Sequence, residues 1–188
     1  MSKKLWEATQ KEKNSSNLFK FEKYLSQKFK YRVTKNYEKL FNWSIKNKNK
    51  FWSSIWDFCE VQGNKKENFI KSKTFYKNKF LVNSKLNFAE NILTKNDKSK
   101  AITFISENGY RKQINWKDLY NDTSQIIQFF NSVGIKEKDR VAAYLPNLIE
   151  TVECFIATSA TGAIWSSCSP DFGTKGVIER FSQIKPKL

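Results

Sequence analysis

The sequence predicts an α/β protein, a helical amino-terminal arm followed by the first part of a largely parallel, helix-covered sheet. Three observations carry this. Ahead of about Lys79, apolar side chains recur at helical spacing. From Lys100 onward, short apolar runs of strand length alternate with amphipathic stretches of helix length. Gly134, Pro146 and Gly162 stand at the joints, where helices and strands must stop. The domain division expected from this change of pattern is 1–99 for the arm and connector and 100–188 for the α/β portion.

In the arm, Asn14-Ser15-Ser16-Asn17 offers side chains suited to an N-cap, and Leu18, Phe21, Leu25 and Phe29 follow on one helical face. A second helix is expected from about Asn49, with Phe51, Trp52, Ile55, Trp56 and Cys59 forming a stripe that must pack inward. Residues 63–79 are polar, charged and without periodicity, as expected of a surface excursion. A short helix over 88–93 follows, with Phe88, Ile92 and Leu93 sharing a face.

In the α/β portion, Ala101–Ile105 reads as a strand. Asn108-Gly109 signals a hairpin whose type I′ turn needs positive φ at both positions, and Tyr110–Ile114 returns as the second strand. Asn115 can cap a helix with Trp116, Leu119, Thr123, Ile126, Ile127 and Phe130 inward, ended by Gly134. Val141–Leu145 reads as a buried strand stopped by Pro146. A helix over 148–161 then presents Ile149, Val152, Ile156 and Ala160, and Ala163–Ser167 is a further strand. A last helix, 174–184, turns Val177, Ile178, Phe181 and Ile184 inward. Strands joined by helices of this length imply right-handed crossovers, so another strand is expected as the next element after that helix, and the sequence stops at Lys185–Leu188 with the pattern cut before it. A parallel sheet cut there would leave an unpaired edge and a chain prone to aggregate.

Composition excludes several function classes. All but four of the 34 basic residues are lysine, spread through every segment of a chain of formal charge +16, which fits a solvated surface better than a nucleic-acid patch. There is no histidine, and Cys59, Cys154 and Cys168 are far apart, which argues against Cys/His zinc sites, a disulfide scaffold and histidine-assisted nucleophiles. Cys168 has no imidazole to activate it, so a nucleophilic role is not expected. No run of about 18 apolar residues spans a bilayer, and the first residues lack a signal-peptide core, so a cytoplasmic protein without membrane or nucleic-acid partners is expected. None of the six glycines builds a phosphate loop; Gly173-Thr174-Lys175-Gly176 lacks the glycine spacing.

Certain runs are recognisable together. Arg140–Asn147 (RVAAYLPN), Gly162–Gly173 (GAIWSSCSPDFG), Phe51–Cys59 (FWSSIWDFC) and Leu86–Asn91 (LNFAEN) resemble the adenylate-forming acyl-CoA synthetases, and WSSCSPDFG resembles the acetoacetate–CoA ligase branch rather than the acetate or propionate branches. The likeness extends from Leu5-Trp6-Glu7 to the end. It implies the large domain of an adenylate-forming ligase, cut short. It also implies that acetoacetate attacks the α-phosphate of ATP, with Mg²⁺ neutralising charge, and that the CoA thiol then displaces AMP.

The resemblance further implies that the phosphate loop, ribose-binding aspartate and catalytic lysine would lie past Leu188, leaving these residues without catalytic or metal-binding groups. Ser169, Pro170 and Asp171 occupy positions at which acetyl-CoA-forming relatives bring a Phe-Gly-Gly segment to the CoA nucleotide. The competing structural reading has Ser169 or Asp171 capping the helix that begins near Gly173. Arg140 and Arg180 are expected in structural salt bridges, with phosphate contact the alternative, and Glu150 and Glu153 are expected to be solvated. A non-catalytic basic binding module is the rival to the ligase.

Overall fold

The computed structural model describes residues 5–188. The chain divides into two compact units, with the boundary between Lys85 and Leu86.

The first unit is built from helices whose ends the local sequence specifies. Helix α1 (Gln10–Ser15) opens on a capping box, in which the Thr9 hydroxyl accepts from the Glu12 amide and the Glu12 carboxylate accepts from the Thr9 amide at 2.7 Å. In α2 (Asn17–Lys28), Ser16 caps by accepting from the Phe19 amide. Helices α3 (Tyr37–Lys46) and α4 (Lys48–Phe58) complete the unit. Phe21, Leu25, Tyr31 and Leu40 form its core, against which Phe51, Ile55 and Phe58 pack. Buried Glu22 is fully engaged, accepting from the Tyr31 hydroxyl (2.7 Å), the Thr34 hydroxyl (3.1 Å) and the Lys35 amide (2.9 Å).

The buried face of α4 differs from the expected stripe. Trp56 is buried, but Trp52 and Cys59 are exposed, and Ser53 and Ser54 are buried in their place. The small serine side chain lets the 65–67 segment close in: Ser53 donates to Glu67 at 2.6 Å, and Lys65 reaches both Ser53 (2.8 Å) and Asp57 (2.7 Å). The stretch after Gly63 is mostly exposed and is held by two isolated antiparallel bridges, Asn64 with Lys85 and Ile70 with Lys79.

The second unit begins with α5 (Phe88–Ile92), where Asn87 accepts from the Ala89 amide and donates to the Ser159 and Ala160 carbonyls. Behind that tether Ala89 is buried and Leu93 packs against the core, while Phe88 and Ile92 are exposed. Strands β1 (Lys100–Ile105) and β2 (Arg111–Asn115) pair antiparallel. Their turn is not type I′: Gly109 has φ +82° while Asn108 is not among the residues with positive φ. The Gly109 amide donates to the Ser106 carbonyl and the Asn108 side chain accepts from the Tyr110 amide. Asn108 thus keeps the right-handed conformation, and the glycine alone supplies the left-handed residue of a bulged hairpin.

Helix α6 (Trp116–Ser132) is capped by Asn115, which accepts from the Asp118 amide at 2.9 Å. Leu119, Thr123 and Phe130 are buried, as its periodicity requires. Strand β3 (Arg140–Tyr144), helix α7 (Ile149–Ala160) and strand β4 (Ile164–Cys168) form a β-α-β unit whose strands are parallel, in register from Arg140/Ile164 to Tyr144/Cys168. On β3's other edge, the Lys187 amide donates to the Arg140 carbonyl and the Ala142 amide to the Leu188 carbonyl, both at 2.8 Å. Residues after α8 (Thr174–Ile184) therefore start to pair where a further strand is expected. The sheet is divided into an antiparallel hairpin and this parallel pair. On α8, Val177 is buried while Ile178 is 59% exposed, so the inward face is narrower than its spacing suggests.

Gly162 closes α7 with both backbone bonds of a Schellman ending, its own amide to the Ser159 carbonyl and that of Ala163 to the Thr158 carbonyl. Its φ is +70°, and an added Cβ would lie 3.0 Å from Glu137 Cγ. Gly162→Ala is expected to cost about 1–2 kcal/mol in urea unfolding; a loss below the error of the measurement would contradict this account of the helix end.

Candidate functional site

The carboxyl ends of parallel strands are where open α/β sheets hold ligands. Here β3 ends at Tyr144 and β4 at Cys168, and both open onto the connection Ser169–Gly173 that leads into α8. Ser169 donates to the Asp171 carboxylate at 2.7 Å, the Asp171 amide donates back to the Ser169 hydroxyl at 3.3 Å, and the Phe172 amide donates to the Ser169 carbonyl at 3.1 Å. The Tyr144 hydroxyl lies 3.0 Å from the Pro170 and Phe172 carbonyl oxygens. The Arg180 guanidinium sits 4.4 Å from the centre of the Phe172 ring, a cation–π contact.

Neither Ser169 nor Asp171 caps α8, contrary to the capping reading. Gly173 is the N-cap and no side chain bonds there, because the serine and aspartate are occupied with each other. The first amides of α8 thus carry the partial positive charge of a helix start without a side-chain acceptor. Arg140 and Arg180 are also differently engaged than expected: Arg140 Nε donates to the Lys185 carbonyl at 3.3 Å, and Arg180 lies over Phe172.

A second cluster of ionisable groups lies on the opposing surfaces of α6 and α7. Glu150 is exposed and paired with Lys112 at 2.9 Å, which holds its carboxyl below the usual range. Glu153 is not solvated, as its sequence reading has it, but 7% exposed. Burial, then the Asp122 and Glu150 charges, push its carboxyl up to about 6. The spacing holds the signal, since Glu153 falls four residues after Ile149 and four before Ala157, on the buried face. Tyr144's contact had no such signal; its partners are 26 and 28 residues away. Cys168 is buried and Cys154 is pushed up by burial, which suits neither to nucleophilic attack. Among the described residues no group of three or more His, Cys, Asp or Glu could hold a metal ion, and no helix is long and apolar enough to cross a membrane.

Residues 89–188, more than half of the chain, match the AMP-binding enzyme family. The chain belongs to that family. Acetoacetyl-coenzyme A synthetase of Rhizobium meliloti (strain 1021) is 39% identical over 154 residues, covering 81% of this chain and 24% of that protein. Acetoacetyl-CoA synthetase of Xenopus tropicalis is 38% identical over 158 residues, with the same coverage of 81% and 24%. Among solved structures, acetoacetyl-CoA synthetase from Streptomyces lividans superposes with a TM-score of 0.89 at 25% identity, over 98% of this chain and 29% of that one. The chain thus spans about a quarter of the length of the curated relatives it matches. In this AMP-binding family member, the matched region runs from the second residue of α5 through α8 and takes in the whole Ser169–Gly173 connection.

Proposed function

We propose that this chain forms part of an ATP-dependent acetoacetate–CoA ligase, which converts acetoacetate, ATP and CoA to acetoacetyl-CoA, AMP and pyrophosphate through an acyl-adenylate. The observation that carries it is the joint likeness in sequence and fold to acetoacetyl-CoA synthetases, at up to 39% identity and a TM-score of 0.89.

Within that reaction the described residues serve the coenzyme. Ser169, Pro170 and Asp171 face the CoA nucleotide, in a turn already ordered by its own hydrogen bonds. The uncapped start of α8 offers backbone amides to an anionic group, and Arg180, over the Phe172 ring of the same turn, is a cation for the same ligand. CoA, when bound, supplies the thiol that displaces AMP. Among the described residues no group of three or more carboxylate, thiol or imidazole ligands comes together, and no role is assigned to them toward Mg²⁺. None of the six glycines builds a phosphate loop, so these residues are not assigned the adenylation chemistry.

The test is substrate competition in a ligase polypeptide that contains these residues. Acetoacetate should give product faster than acetate or propionate at equal concentration; equal or faster use of acetate would remove the acetoacetate assignment. Tight, steeply salt-dependent oligonucleotide binding by the 188-residue chain would instead favour a basic binding module.

A further inference from the structure

The pairing of β3 with β4 uses backbone groups only, so nothing in the strand requires the hydroxyl of its last residue. Yet the Tyr144 hydroxyl reaches from the end of β3 to the connection after β4, 3.0 Å from the carbonyl oxygens of both Pro170 and Phe172. One hydroxyl carries one proton, so the two acceptors share it. Those carbonyls belong to the peptides that join Pro170 to Asp171 and Phe172 to Gly173. The bond therefore holds the plane of the Asp171 amide on one side and of the Gly173 amide, at the start of α8, on the other. The tyrosine itself is 47% exposed, so it is not placed there as core filling. Arg180, over the Phe172 ring, holds the same turn from the α8 side.

We propose that Tyr144 is a positioning residue for the nucleotide end of CoA. It fixes the Ser169–Asp171 turn and the Gly173 peptide that follows it in the orientation that meets the coenzyme, and its hydroxyl, not its ring, performs this role. The proposal rests on the coenzyme reading of Ser169–Asp171 given above.

Tyr144→Phe in a ligase polypeptide that contains these residues removes the donor and keeps the ring. In amide hydrogen exchange without ligand, the amides of Asp171–Gly173 should exchange about fivefold faster in the variant, with α6 and α7 unchanged. With CoA as the probe, protection of those amides should require about fivefold more CoA than in the parent chain. Unchanged exchange in the turn overturns the proposal, and so does an equal acceleration throughout α6 and α7, which marks a general role in the fold. Faster exchange with the same CoA dependence shows a latch that does not position the coenzyme, and overturns it as well. Absence of CoA protection in the parent chain is a different result. It removes the coenzyme reading, and the positioning role with it, whatever the variant's exchange without ligand.

Discussion

Glu153→Gln should stabilise the chain by about 2 kcal/mol at pH 8 and change little below pH 4.5. Glu153 is 7% exposed, and its carboxyl is pushed up to about 6 from an ordinary value of 4.5, by burial first and by Asp122 and Glu150 next. Asp122 faces it from α6, Glu150 lies one turn back on α7, and the Lys112 ammonium from β2 offsets part of the effect. The sign follows from the direction of the shift. A carboxyl raised in the folded state favours folding while it is protonated, fully below pH 4.5, and that contribution is lost as pH rises through about 6. Above that pH the folded protein must hold a carboxylate in a site that desolvates it and places it beside other carboxylates. Glutamine keeps the shape without the charge. Urea unfolding of both proteins at pH 4.5 and pH 8 measures the difference; a gap that does not widen with pH would refute the assignment.

Leu119→Ala should cost about 3 kcal/mol, the larger of the two effects. Leu119 is 2% exposed and packs in the cluster of Ala89, Ile114, Ile149 and Ile156, drawn from α5, β2 and α7 as well as its own helix. Truncation removes buried methyl and methylene groups and leaves a cavity that side chains from four elements cannot all relax to fill. Ile178→Ala is the matched control: Ile178 is 59% exposed on α8, and its loss should fall within about 0.5 kcal/mol. A Leu119→Ala protein as stable as the control would show that this cluster does not hold the second unit together.

The two substitutions also mark where local reasoning holds and where it stops. Leu119, Thr123 and Phe130 were legible because a 17-residue helix has room for its period to show. On α4 the same reasoning named Trp52 and Cys59, but the buried positions are Ser53, which Glu67 and Lys65 approach, and Ser54. At the hairpin, Asn108-Gly109 marked the reversal correctly and its type wrongly, because the Asn108 side chain bonds the Tyr110 amide. At the candidate site, Ser169 and Asp171 were legible as a polar turn before a helix, but not as partners of each other.

The sequence alone determined the order of the elements from α5 to α8, the starts of α2 and α6, the end of α7 and the family, but neither α1 nor α3. Those features rest on interactions within a few residues: Ser16 with the Phe19 amide, Asn115 with the Asp118 amide, a glycine after the last turn of α7. The tertiary structure decided which faces are buried, that the hairpin and the parallel pair form two separate sheets, that Glu153 sits in a place that disfavours its charge, and that Tyr144 holds a turn 26 residues away. Each of these depends on what a distant segment brings to the residue. Periodicity records a side chain's direction from its own backbone, and only packing supplies the neighbour it meets.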